Sequence, residues 1–93
     1  MTISPSAKIS FSPLHRLQWE ESQQRFVILY PEGMVELNDP AAEILQLCDG
    51  SRDIDSIVDE LETKFEMSGL RPDIEDLLEA ALKNGWIRIL SEG

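Results

Sequence analysis

The sequence predicts an α+β domain in a winged helix-turn-helix-like arrangement: a three-stranded antiparallel meander, then three helices and a short final strand. Three observations carry this. Between Leu14 and Asn38, apolar residues either alternate with polar ones or form one unbroken run of strand formers. Between Pro40 and Asn84 they recur at helical spacing in three separate stretches. Glycine and proline fall at the ends of these stretches rather than inside them.

Residues 1–13 are rich in Ser and Pro and poor in large apolar groups, so they read as a mobile arm ending at Ser12-Pro13. The domain proper is expected over 14–90, with 91–93 as a tail. In the first predicted strand Leu17 and Trp19 alternate with Arg16, Gln18 and Glu20, which gives it one buried face. Glu21-Ser22-Gln23-Gln24 makes a polar turn. Phe26-Val27-Ile28-Leu29-Tyr30 suits a strand at the middle of a sheet, or one covered on both faces. Pro31 presets φ for the second position of a tight turn and Gly33 suits its exit. Met34 to Asn38 is the third strand, with Val35 and Leu37 facing the core.

Asp39-Pro40 is expected to cap and open the first helix. Ala41, Ile44, Leu45 and Cys48 form its stripe, and Gly50 is the expected stop. Asp53 or a neighbour starts the second helix, whose stripe is Ile54, Ile57, Val58, Leu61 and Phe65, closed by Met67-Ser68-Gly69. Pro72-Asp73 opens the third, with Ile74, Leu77, Leu78, Ala81 and Leu82 as its stripe and Gly85 just past its end. Trp86 to Leu90 forms the final strand.

Short connections favour antiparallel neighbours in sequence order, so the third strand lies at a sheet edge. Edge strands are commonly guarded by Lys, Pro or a bulge. Met34 to Asn38 has neither Lys nor Pro and only Glu36 as a charge. Such an edge is either covered or used, and an open edge beside a helix is a site for peptide strand addition. Pairing with a second copy, to give a homodimer, is the competing use.

The 93 residues suffice for one domain with one modest core. Eight basic against 18 acidic residues give a formal net charge of −10. Such a surface repels phosphate backbones, so nucleic acid is not an expected partner and a basic or neutral one is. The third helix carries Asp73, Glu75, Asp76 and Glu79 against Lys83, the reverse of what a DNA-reading helix needs. Cys48 is the only cysteine, which rules out an internal disulfide and suits a reducing compartment. With no signal-peptide pattern and no apolar run of membrane-spanning length, the expectation is a cytoplasmic protein away from the membrane.

Little in the chain points to catalysis. His15 and Cys48 are the only histidine and cysteine, and a nucleophile pair needs one of each. Cys48, however, lies on an apolar helix stripe, where cysteine packs. A single His and a single Cys do not make a usual zinc site, calcium-loop spacing is missing, and the glycines are isolated. No catalytic residue, metal or cofactor is expected. Trp19 and Trp86 read as packing aromatics. Asp55-Ser56-Ile57 has a passing likeness to the serine motif of acyl carrier proteins, which makes a small acidic carrier a further alternative.

Five segments carry a closer likeness. They are Leu17-Gln18-Trp19-Glu20, Leu29-Tyr30-Pro31-Glu32-Gly33, Glu36-Leu37-Asn38, the block from Ala42-Glu43-Ile44-Leu45 to Cys48-Asp49-Gly50, and Gly85-Trp86. With them the sequence, from about Ser12 to Leu90, resembles the pyrroloquinoline quinone (PQQ) biosynthesis protein D family, PqqD. The resemblance implies a winged-helix-like peptide-recognition domain, a RiPP recognition element, with no catalytic activity of its own. It implies binding of the precursor peptide PqqA and its presentation to the radical SAM enzyme PqqE, which crosslinks a Glu and a Tyr of the peptide. It also implies that the peptide adds a strand to Met34–Asn38 and packs on the third helix. The expected site is then backbone pairing along Met34, Val35, Glu36, Leu37 and Asn38. Side-chain pockets would be formed by Val35, Leu37, Ile74, Leu78 and Leu82.

Overall fold

The computed structural model describes residues 3–90. In chain order the elements are β1 (Ile9–Phe11), β2 (Arg16–Glu20), β3 (Arg25–Tyr30), β4 (Gly33–Glu36), α1 (Asp39–Gln46), α2 (Ile54–Phe65), α3 (Arg71–Lys83) and β5 (Ile87–Ile89). Strands β2, β3 and β4 form the expected antiparallel meander, with β3 central and β4 at an edge. β1 and β5 pair antiparallel in a separate two-stranded ribbon.

The alternation seen in the sequence sorts the meander into two faces. Leu17, Phe26, Ile28, Val35 and Leu37 turn toward the helices and join or abut the core. Val27 points the other way and is also buried, at the middle of the meander, which fits the central-strand reading of its apolar run. α1 packs on β3, α2 packs on α1 and α3, and α3 also packs on β5. Ile9, Ile28, Leu45, Ile54, Ile57 and Leu78 are fully buried at the centre.

The expected arm over 1–13 and the domain start at 14 need correction for the described residues. Ile3, Ala7 and Ile9 are 1%, 0% and 0% exposed, and β1 runs in register with β5 through Ile9↔Ile89 and Phe11↔Ile87. The physical reason is that β5 has no other partner strand among the described residues, and a lone three-residue strand leaves its backbone groups unpaired. Residues 1–2 and the 91–93 tail lie outside the described residues.

β1 also shortens α1. The Phe11 N–H donates to the Cys48 carbonyl at 2.9 Å, and Gly50 N–H donates to Ile9 at 2.8 Å. These bonds pull the chain out of the helix at Leu47, so Gly50 lies beyond α1 rather than stopping it. Gly50 sits at φ +89° with Leu90 and Ser10 against it, a conformation and a space that suit glycine.

At the other end of α1, the cap is Asn38 and not Asp39. Asn38 is extended, at φ −80° and ψ 169°, and its Oδ1 accepts the Ala41 N–H at 2.9 Å. This switch from ladder to cap ends β4 at Glu36, with Leu37 adding one last bond to β3. Replacing Asn38 with alanine is expected to lower stability by about 1 kcal/mol in urea denaturation. Asp53 caps α2 in the same way through the Ser56 N–H, and that bond holds its carboxyl below the usual Asp range. Its contribution is therefore present above the ordinary Asp pKa and fades as pH falls through the lowered one. The end of α3 is as expected: Gly85, at φ +80°, donates to Leu82, and Trp86 donates to Ala81.

Among the described residues, no helix is long and apolar enough to cross a membrane.

Candidate peptide-binding edge and groove

One hydrogen bond sets the phase of the β4 ladder. The Leu37 N–H donates to the Phe26 carbonyl at 3.0 Å, which makes Phe26–Leu37 a hydrogen-bonded pair. Opposed residues in an antiparallel ladder alternate between bonded and non-bonded pairs. With the register Val27↔Glu36, Ile28↔Val35, Leu29↔Met34 and Tyr30↔Gly33, the inward-bonding residues of β4 are Gly33 and Val35. Met34 and Glu36 direct their N–H and C=O away from β3, toward the free edge. Among the described residues no strand pairs with that edge. Its side-chain guard is weak: Glu36 pairs with Arg25 at 3.6 Å, both groups nearly half exposed.

The residues singled out from the sequence fall into three groups. Met34, Glu36 and Asn38 are exposed along the edge. Val35 and Leu82 are half-buried. Leu37, Ile74 and Leu78 are 5%, 2% and 0% exposed, so they are core side chains, and of the three only Ile74 also borders an open groove. The helical stripe that marked Ile74 and Leu78 is the same stripe that packs α3 onto α2 and β5.

A groove of about 610 Å³ opens elsewhere, next to where β4 runs into α1. Trp19 of β2 and Phe26 of β3 form one wall, and Pro40 of α1 forms another. Phe65 and Met67, at the end of α2, and Leu70 and Ile74, at the start of α3, close the far side. Trp19, Phe65 and Met67 are 44%, 44% and 56% exposed. The sequence reading assigned Trp19 to packing. In the structure it packs edge-to-face on Phe26, 5.2 Å between centroids, and its indole N–H donates to Glu21 at 2.8 Å. The sequence signal for the far side was weak: the α2 stripe runs on past the buried Leu61 to the exposed Phe65, and Glu66, at a left-handed φ of 52°, closes the helix before Met67. Three carboxylates, Asp39, Glu43 and Asp73, line the groove.

The remaining candidates are quiet. Cys48 is 3% exposed and its Sγ–H donates to the Ile44 carbonyl. Burial, with Asp49 adding to it, pushes the thiol up to about 12. A thiol held protonated in this way is a poor nucleophile at neutral pH. Folded protein is therefore expected to react with a thiol reagent at neutral pH only after urea unfolding, as read by mass shift. The His15 ring packs tilted on Tyr30 at 5.7 Å, and its Nδ1 has no hydrogen-bond partner among the described residues. Ser56 is half-buried in the first turn of α2. No group of three or more His, Cys, Asp or Glu is placed to hold a metal among the described residues.

Comparison with known proteins identifies the family. Residues 25–87 match the family described as coenzyme PQQ synthesis protein D (PqqD). A Methylococcus capsulatus protein named PqqA binding protein is 59% identical over 88 residues, covering 95% of each chain. A Klebsiella pneumoniae protein of the same name is 45% identical over 80 residues, 85% of this chain and 87% of its own. Among solved structures, a PqqD truncation of Methylobacterium extorquens PqqCD matches with a TM-score of 0.77 at 23% identity. The match covers 94% of this chain and 95% of that one, which is described as a functional, stand-alone RiPP recognition element. At that identity the likeness is one of fold.

Proposed function

This chain belongs to the coenzyme PQQ synthesis protein D family, and from that premise we infer that it binds the peptide PqqA along the free edge of β4. It acts as a peptide adaptor in PQQ biosynthesis rather than as an enzyme, and it works in the cytoplasm beside PqqE. The observation that carries this is the outward backbone of Met34 and Glu36 on an edge with no Lys, Pro or bulge to guard it. Relatives named PqqA binding protein supply the identity of the peptide.

The chemistry of such a site is main-chain pairing. A peptide laid along β4 exchanges N–H···O bonds with Met34 and Glu36, which tolerates many peptide sequences. Ordering a flexible peptide opposes binding, so the affinity is moderate for the area covered. Moderate affinity suits a carrier that hands its cargo to PqqE. The same edge in a self-paired dimer would bring together two chains of formal charge −10, whose mutual repulsion favours the peptide instead.

The test is reconstitution. PqqE given PqqA with this chain is expected to form the Glu–Tyr crosslink faster than PqqE given PqqA alone, as read by intact mass. Equal rates with and without the chain, at concentrations where PqqA is bound, would remove the presenting role.

A further inference from the structure

We propose that the groove beside α1 seats a large apolar side chain of the bound peptide, at a point where the peptide carries an adjacent lysine or arginine. This rests on the edge-strand reading above and adds a second contact to it.

Placement comes first. β4 passes through Leu37 and the Asn38 cap directly into Asp39 and Pro40, and those two residues border the groove. A peptide paired at Glu36 and running on past the Asn38 cap heads toward that border. The groove's sheet wall is Trp19 of β2 and Phe26 of β3, so a peptide leaving the β4 edge enters the groove by crossing the start of α1.

Its lining then specifies the ligand. Trp19, Phe65 and Met67 leave about half of their surface exposed in a lining that also includes Phe26 and Ile74. Clustered exposure of large apolar groups in one concavity marks a binding surface, whereas single exposed apolar residues do not. The charged members of the lining are all acidic. Glu43 is already paired with Lys64 at 2.6 Å, and the same Lys64 ammonium lies 5.5 Å from the Phe65 ring centroid. This rim therefore already holds a cation between a carboxylate and an aromatic face. Asp39 and Asp73 form no ion pair among the described residues. Their first-turn positions suit the helix dipoles, but their outward oxygens remain open to a second cation. A second copy of this acidic chain, or a nucleic acid, would meet repulsion at such a rim.

PqqA itself is the probe, titrated calorimetrically into the wild-type chain, Phe65→Ser/Met67→Ser and Asp39→Asn/Asp73→Asn, with amide spectra recorded alongside. All four positions are exposed, so the variants are expected to stay folded, and the spectra check this. Loss of the apolar wall is expected to weaken binding about tenfold or more. Loss of the two carboxylates is expected to weaken it about threefold at low salt and to flatten its salt dependence. In both variants the Met34 and Glu36 amides still shift. Unchanged affinity in both variants, with those shifts intact, overturns the groove and leaves the edge standing. Weakened variants with no shift at Met34 or Glu36 support the groove and overturn the edge. No binding by the wild-type chain overturns both.

Discussion

Glu36→Pro is expected to weaken PqqA binding about thirtyfold or more while the domain stays folded. Glu36 sits in a non-bonded pair with Val27, so its N–H points to the free edge and takes no part in the β3–β4 ladder. Proline is tolerated on an edge strand at such an outward position. The residue before it is driven to extended backbone, which Val35 already has as a strand residue. What the substitution removes is a donor to the peptide, and the ring occupies the space where the peptide backbone would lie. An unmade bond that strands a peptide carbonyl costs about 1–3 kcal/mol, and steric exclusion of the neighbouring contacts adds to that. Glu36→Ala is the control. It loses only the exposed pair with Arg25 and keeps the N–H, so binding is expected to hold within about twofold. Val35→Pro has a different expected outcome, because Val35 bonds inward in register with Ile28. It is expected to loosen the hairpin, visible in circular dichroism and thermal denaturation before binding is measured.

The second large effect concerns the start of the chain. A version lacking residues 1–11 is expected to be unfolded or nearly so at 25 °C. It loses Ile3, Ala7 and Ile9 from the core and leaves β5 without a partner. It also frees the Cys48 carbonyl and the Gly50 N–H, which β1 holds at the end of α1. Deleting a buried isoleucine side chain alone costs about 2–5 kcal/mol, and a domain of this size has about 5–15 kcal/mol in total. Ile9→Ala is the milder test, with an expected loss of about 2–4 kcal/mol in urea denaturation. A truncated protein with wild-type stability would show that the β1–β5 ribbon is dispensable.

The meander and the three helices were legible because each is signalled locally. Val35 and Leu37 alternate with Glu36, the stripes of α2 and α3 recur at helical spacing, and Gly85 stands where the α3 closure needs a left-handed residue. β1 was not legible. Ile9-Ser10-Phe11 is too short to show a period, and its reason for being a strand is β5, more than seventy residues away in sequence. The early end of α1 follows from that same missed pairing, since β1 draws out Cys48 and Gly50.

The site was half legible for a similar reason. That the third strand lies at an edge follows from short connections, which the sequence displays. Which helix side chains border the open groove does not, because one stripe serves both core and groove. Ile74 and Leu78 carry the helical signal as strongly as any residue, and the core takes them. Trp19 and Met67 come from segments distant in sequence and meet only in the fold.

The most direct test of edge binding is an amide NMR titration of the 15N-labelled chain with PqqA. The expected result is a set of saturable shifts centred on Met34 and Glu36, extending toward Asp39, together with slowed hydrogen exchange at the Met34 and Glu36 N–H groups. Saturable binding that leaves both amides unshifted and freely exchanging would contradict strand addition at β4.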